Sequence, residues 1–181
     1  MLTPALAQSL LMLGITPEML HTLLHARGLQ PCAEASELTL AQTGSDGRQY
    51  LLEPQAAAAW WAMKAAAANE GVAMELASAF RSVARQTEIL RDKLAAGQNI
   101  EEALQWVAPP GFSEHHTGRA IDIAVPGEPA LEEDFETTPA YAWLQRHAGA
   151  HGFRLSYPRG NSSGYGYEPW HWCFHGGPPP A

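Results

Sequence analysis

Cysteine is scarce in this chain: only Cys32 and Cys173 occur in 181 residues, and no CxxC pair exists. A cysteine-based structural zinc knuckle is therefore excluded. Nothing in the spacing requires the two thiols to pair, and two reduced, mostly packed thiols are the simpler expectation. Positive charge is also in short supply, with 11 Lys and Arg against 19 Asp and Glu and a net charge of −8. That balance argues against nucleic acid or an anionic membrane surface as the main partner. No Lys or Arg precedes Arg27, and the apolar N-terminal stretch is interrupted by Gln8, Ser9, Gly14 and Pro17. No signal peptide and no membrane span are legible, so a cytoplasmic protein is expected, or a periplasmic one if a leader has been trimmed. Internal repeats are absent as well. What is present is apolar material, 46% of the residues, enough for a sizeable core. Eight histidines add a prior for metal chemistry.

The pattern along the chain predicts two short helices between Ala5 and about Gly28, the second capped by Thr16 with Pro17 at its first position. Residues 30–47 read as loop, and Tyr50–Leu52 as a short strand. Pro54–Asn69 is an alanine-rich helix that stops at Gly71. Val72–Phe80 alternates large and small side chains, which predicts a strand. Helices follow from about Ser82 to Ala96 and from Asn99 to Val107. Ala120–Val125 alternates again, and a helix opens at Thr138–Pro139 and runs to about Ala150. Phe153–Leu155 and Trp170–Phe174 complete the strands, and an extended tail ends the chain. The acidic run Glu132–Asp134 reads as a solvated loop. Without a regular strand–helix–strand rhythm, α+β fits better than a doubly wound sheet. The division expected is an N-terminal helical and loop extension over 1–48 and a catalytic domain over 49–181.

Chemistry concentrates in two stretches. The first runs from Ser113 to Asp122. Asp122 lies between isoleucines on a predicted strand, where a carboxylate is costly unless paired or bound to a metal. His115 lies just upstream, across Gly118. The second stretch is Glu168-Pro169-Trp170-His171-Trp172, with an imidazole between two indoles. The joint reading is a zinc site with ligands His115, Asp122 and His171 and a fourth position for water, the pattern of catalytic rather than structural zinc. Glu168 is then the general base that takes the water's proton. In an ideal strand Glu168 and His171 would face opposite sides, so Pro169 must mark a twist or bulge.

These residues resemble the zinc D-alanyl-D-alanine carboxypeptidases and dipeptidases of the vancomycin-resistance type, with their L,D-carboxypeptidase relatives. Ser113, His115, Gly118, Ala120 and Asp122 match the family's S-x-H-x-x-G-x-A-x-D, and Glu168, Trp170 and His171 match E-x-x-H with its preceding Trp. Upstream, Phe80-Arg81-Ser82 and Gln86 are similar to an aromatic-Arg-Ser-x-x-x-Gln segment. The family often has Gly-Tyr before that arginine; Ala79-Phe80 here lacks the hydroxyl. The resemblance spans about residues 50–175. It implies a hedgehog/DD-peptidase-like fold, a small central antiparallel sheet flanked by helices. It implies Zn2+ as cofactor and a peptidoglycan-derived stem peptide as substrate, losing its C-terminal D-alanine by D,D- or L,D-cleavage. It further implies Arg81 as a catalytic and substrate-binding group, since a guanidinium forks well onto a carboxylate or an oxyanion. Ser82, Gln86 and Ser113 are expected as further substrate contacts. An endolysin that cuts L-Ala-D-Glu shares the zinc pattern, and a zinc-stabilised binding module is the non-enzymatic alternative. His116 reads equally as a contact near the metal or as an exposed loop residue, and oligomeric state stays open.

Overall fold

The computed structural model describes residues 2–176; the extended tail expected at the end of the chain lies, from residue 177 on, outside them. Two helices, α1 (Pro4–Met12) and α2 (Pro17–Arg27), open the chain. Each has a threonine N-cap followed by proline, Thr3 and Thr16, whose hydroxyls accept from the backbone N–H of Leu6 and Met19. Each such cap is worth about 1 kcal/mol. A hairpin follows, β1 (Thr39–Thr43) against β2 (Gln49–Leu52), antiparallel with an irregularity between Leu40 and Gln42. β1 lies where a loop was predicted. Its Thr-Leu-Ala-Gln-Thr sequence is weakly patterned, and it is held by pairing with β2 and by contacts from the following helix. The Trp61 indole donates to the Ala41 carbonyl at 2.8 Å and Lys64 to the Gln42 side chain at 2.7 Å.

That helix, α3, spans Pro54–Asn69 as expected, with Pro54 at its start and the Glu53 carboxylate accepting from Ala56 N–H. Ala56, Ala57, Trp60, Met63 and Ala67 recur at helical spacing and are fully buried against the central sheet. Trp60 points into this core while Trp61 stays half exposed, the divergence that adjacent helical positions require.

The central sheet has four antiparallel strands in the order β3 (Glu75–Ser78), β4 (Ala120–Ala124), β6 (His171–Phe174), β5 (Phe153–Leu155). This is the expected small antiparallel sheet of an α+β fold. β3 is shorter than the predicted Val72–Phe80. Its register shifts between Leu76 and Ser78, and beyond it the Ala79 carbonyl and Arg81 N–H bond to His115 instead of continuing a ladder. Helix α6 (Pro139–His147) and a following 3-10 turn (Ala148–His151) cover the sheet with Ala140, Trp143, Leu144 and Ala148. The acidic run falls partly in a 3-10 turn, Glu133–Thr137, pinned by buried Phe135.

A second, smaller core lies beside the sheet. Helices α4 (Val83–Ala95) and α5 (Ile100–Ala103), with the residues just after α5, bury Leu90, Ala103, Leu104 and Val107 against Leu10, Leu13, Ile15 and Leu20 of the N-terminal segment. α5 is shorter than predicted; a capping box between Asn99 and Glu102 opens it. Residues after α2 continue this contact. Cys32 N–H donates to the Gly111 carbonyl and Ala35 N–H to the His116 carbonyl, each at 2.8 Å. The N-terminal segment is thus laced to the loop that carries the first chemical motif. Among the described residues no helix is long and apolar enough to cross a membrane.

Candidate functional site

Sheet register does most of the positioning. Asp122 sits at the centre of β4, and its direct partner across the ladder is His171 at the start of β6. Directly opposed strand positions bring side chains together, and here His171 Nδ1 lies 2.9 Å from Asp122 Oδ1. His115 reaches the same carboxylate from a 3-10 turn, Glu114–Thr117, with Nε2 at 3.2 Å from Asp122 Oδ2. That turn ends at Gly118 in the left-handed region, with φ of 67°. A Cβ there would meet Glu53 N at 2.9 Å and the Ala35 Cβ at 3.2 Å, so both conformation and space require glycine. The Gly118 carbonyl in turn accepts from Glu53 N–H at 2.9 Å, tying the turn to the start of α3.

Both histidines are locked by their outer nitrogens. His115 Nδ1 faces the Ala79 carbonyl at 2.7 Å; a carbonyl only accepts, so Nδ1 carries the proton and Nε2 presents a lone pair toward Asp122. His171 Nε2 lies 2.9 Å from Glu114 Oε2, and the Tyr157 ring packs on the imidazole at 4.7 Å. One donor atom from each of His115, Asp122 and His171 lies within 4.8 Å of the others, the only such group of three or more His, Cys, Asp or Glu among the described residues. All three side chains are buried.

Two imidazole nitrogens and a carboxylate suit zinc, whose bonds of about 2.0–2.1 Å put tetrahedral donor atoms roughly 3.3 Å apart. The two spacings to the carboxylate, 2.9 and 3.2 Å, lie just below that value. The charges fit a cation too, since the Asp122, Glu114 and Glu168 carboxylates crowd around two imidazoles. Burial alone would raise the Asp122 carboxyl, but His115 and His171 hold it well below the usual carboxylate range. Burial would lower His171, yet hydrogen bonds to Asp122 and Glu114 outweigh it and raise the imidazole to about 10. The pocket draws a positive charge onto that ring. Burial lowers His115, leaving it neutral.

Glu168 reaches the site through a reverse turn. His171 N–H donates to the Glu168 carbonyl at 3.1 Å across Pro169–Trp170, which folds the carboxylate back to 3.8 Å from His171 Nδ1. This turn is the expected break in strand parity. Burial pushes the Glu168 carboxyl up to about 7, against the pull of His171. Arg81 stands opposite. Its guanidinium donates to Gln86 Oε1 at 3.0 Å and Ser78 Oγ at 3.1 Å, and lies 3.9 Å from Asp122 Oδ2. Gln86 is fixed in turn by donating to the Ala108 carbonyl at 2.7 Å.

These groups line a cleft of about 480 Å³. Gln86, Ile89 and Lys93, three and four residues apart, line it with one face of α4, and half-exposed Trp106 and Leu131 border it. Trp106 lies close over Gly166, where a Cβ would meet the indole at 2.1 Å. Of the residues singled out from sequence, His115, Asp122, His171, Glu168, Arg81, Gln86 and Ser113 all line this cleft. Ser82, expected as a substrate contact, does not. Its hydroxyl accepts from Arg85 N–H at 3.1 Å as the N-cap of α4.

Two residues carry more than their sequence showed. His116 is fully buried rather than exposed. It accepts from Gly111 N–H at Nε2 (3.1 Å) and donates from Nδ1 to the Arg81 carbonyl (2.6 Å), bracing the backbone of the arginine. Glu114 had no signal, because its partner His171 lies 57 residues away in sequence. His21 and His25 lie with ring centroids 4.5 Å apart, tilted by 52°, on an exposed helix face without a third donor group. Cys173 is buried, both thiols are free, and burial raises Cys173 out of the reactive range.

The family described as VanY, D-alanyl-D-alanine carboxypeptidase, matches residues 49–177. A putative carboxypeptidase of Bacillus subtilis, YodJ, is 36% identical over 123 residues, which are 66% of this chain and 45% of that protein. The chain therefore spans less than half of that relative's length. Among solved structures, the LdcB LD-carboxypeptidase superposes with a TM-score of 0.65 at 33% identity, covering 81% of this chain and 66% of that one. A variant of the D,D-pentapeptidase VanY from a VanB-type resistance cassette, in complex with Zn(II), gives 0.65 at 28% identity, covering 82% and 83%. With a family match over residues 49–177, most of its length, the chain belongs to the VanY D-alanyl-D-alanine carboxypeptidase family.

Proposed function

We propose that this protein is a zinc-dependent carboxypeptidase that removes the C-terminal D-alanine from peptidoglycan stem peptides. The observation that carries the reading is the convergence of His115, Asp122 and His171 with the Glu168 carboxylate beside them in one cleft. Zinc held by the three side chains would supply Lewis acidity that activates water and polarises the scissile carbonyl.

The chain's own groups supply the rest. Glu168 accepts the proton as water attacks, then delivers it to the departing amine as the C–N bond breaks. A carboxyl raised to about 7 by burial can both take and return a proton near neutral pH. Arg81, held by Gln86 and Ser78, offers its guanidinium to the terminal carboxylate or to the oxyanion that develops at the carbonyl. Ser113 and Gln86 line the cleft as further contacts to the peptide ends. Residues 49–181 form the peptidase region in this reading. Residues 1–48 are an extension that buttresses it through the shared small core and the hydrogen bonds to Gly111 and His116.

Both D,D- and L,D-enzymes stand among the structural relatives. An assay with pentapeptide and tetrapeptide stems, with and without a chelator, followed by mass spectrometry, decides between them. Free alanine from the pentapeptide alone marks a D,D-enzyme, and alanine from the tetrapeptide an L,D-enzyme. A stem severed internally, or no chelator-sensitive product, sinks the reading.

A further inference from the structure

We propose that Glu114 is a positioning residue that orients His171 toward the cation, so that Nδ1 rather than Nε2 is the nitrogen offered as ligand. The inference rests on the zinc reading of the same site and goes beyond it by assigning a role to a residue outside the donor set.

An imidazole on a strand is free to rotate about its side-chain bonds unless something holds it. His171 is held at three places. Its Nε2 meets Glu114 Oε2 at 2.9 Å, its Nδ1 meets Asp122 Oδ1 at 2.9 Å, and the Tyr157 ring packs on its face at 4.7 Å. Both nitrogens face carboxylates, but Asp122 belongs to the donor set and Glu114 does not: a cation bound beside Asp122 would take the place of the Nδ1 proton, while Nε2 keeps its proton toward Glu114. Glu114 is itself fixed. Ser156 Oγ donates to the same Oε2 at 2.6 Å, and Ser156 N–H donates to the His171 carbonyl at 3.3 Å. Acceptor and ring thus share one local frame.

Two observations separate this role from catalysis or substrate binding. Glu114 does not line the cleft, whereas Glu168 does. Its neighbour His115 is oriented by the same device with a different acceptor, the Ala79 carbonyl, at 2.7 Å. One ligand imidazole is therefore braced by a neutral carbonyl and the other by a carboxylate. A charged acceptor makes the stronger hydrogen bond and the more basic ligand.

The test is zinc affinity, measured by competition with a chelator on metal-stripped protein, for wild type, Glu114→Gln, Glu114→Ala, Glu114→Asp and Ser156→Ala. Thermal melting of each metal-free protein is followed alongside. Removing an outer carboxylate partner of a ligating histidine costs about 10–100-fold in affinity. Glu114→Ala is expected near the upper end of that range and Glu114→Gln, which keeps a neutral acceptor, near the lower end. Glu114→Asp falls between wild type and Ala, and Ser156→Ala shows the smallest loss. Nitrogen NMR of the zinc-loaded wild type is expected to show His171 protonated at Nε2. Wild-type affinity within twofold in both Glu114→Gln and Glu114→Ala overturns the proposal. So does a lowered melting temperature with unchanged affinity, the mark of a purely structural pair. Wild type that binds no zinc fails the underlying metal reading, an outcome distinct from variants that match a zinc-binding wild type.

Discussion

The molecule contains two cores that face one cleft from opposite sides, and they do different work. The larger packs α3 and α6 against the four-stranded sheet, and two of the proposed ligands stand on its paired strands, held in register by the Asp122–His171 opposition. The smaller packs α4 and α5 against the N-terminal helices and presents Gln86, Ile89 and Lys93 along one helix face. Ligand geometry is set by ladder hydrogen bonds, which tolerate little displacement. The opposite wall is set by apolar packing of short helices, which permits adjustment. Damage to the first core should therefore reach the chemistry, and damage to the second should reach peptide binding and stability while leaving the metal site intact.

The largest expected effect falls on the sheet side. Glu168→Gln should lower kcat by about 10²–10⁴-fold, the usual range for a general base, with zinc affinity retained; steady-state kinetics beside metal content checks both. The sign of the pH dependence follows from the same group. Burial raises this carboxyl to about 7, and it must be ionised to accept a proton. Turnover should rise as pH climbs through that region and fall below it, with a bound cation drawing the limb lower. A Glu168→Gln variant whose residual rate keeps that limb would contradict the assignment.

Next in size is the core behind the ligands. Trp60→Ala should destabilise the fold by about 3–5 kcal/mol, read by denaturant unfolding, because the indole is fully buried between α3 and the sheet. Leu20→Ala in the smaller core should cost less, near the lower end of about 2–5 kcal/mol for a buried leucine. Its zinc affinity should stay at the wild-type level. If Leu20→Ala loses zinc as readily as it loses stability, the two cores are one cooperative unit and the contrast fails. The smallest effect belongs to the cleft's edge. Lys93→Ala should raise KM a few-fold, by the scale of about 1 kcal/mol for an exposed charge contact, with kcat unchanged.

Much of this was legible in the sequence because the decisive signals are local. Pro54 and Gly71 bracket α3, the isoleucines around Asp122 reveal both β4 and its costly carboxylate, and the Glu168–His171 spacing carries base and ligand together. What escaped depends on distant partners. β1 is a strand only because β2 and α3 meet it. Glu114 gains a role only where β6 returns beside the 3-10 turn. His116 read equally as a contact near the metal or an exposed loop residue, and only the fold shows Gly111 and Arg81 enclosing both its ring nitrogens. Ser82 shows the converse: family likeness suggested a substrate contact, whereas its hydroxyl caps its own helix and Ser82 stands outside the cleft lining.

Titrating zinc into metal-stripped protein, while following both heat and D-alanine release from a stem peptide, tests the central claim most directly. One zinc per chain should restore turnover in proportion to occupancy, and His115→Ala, Asp122→Ala or His171→Ala should each abolish the binding and the product together. Full turnover in the metal-free protein, or stoichiometric binding undiminished by loss of Asp122, would contradict it.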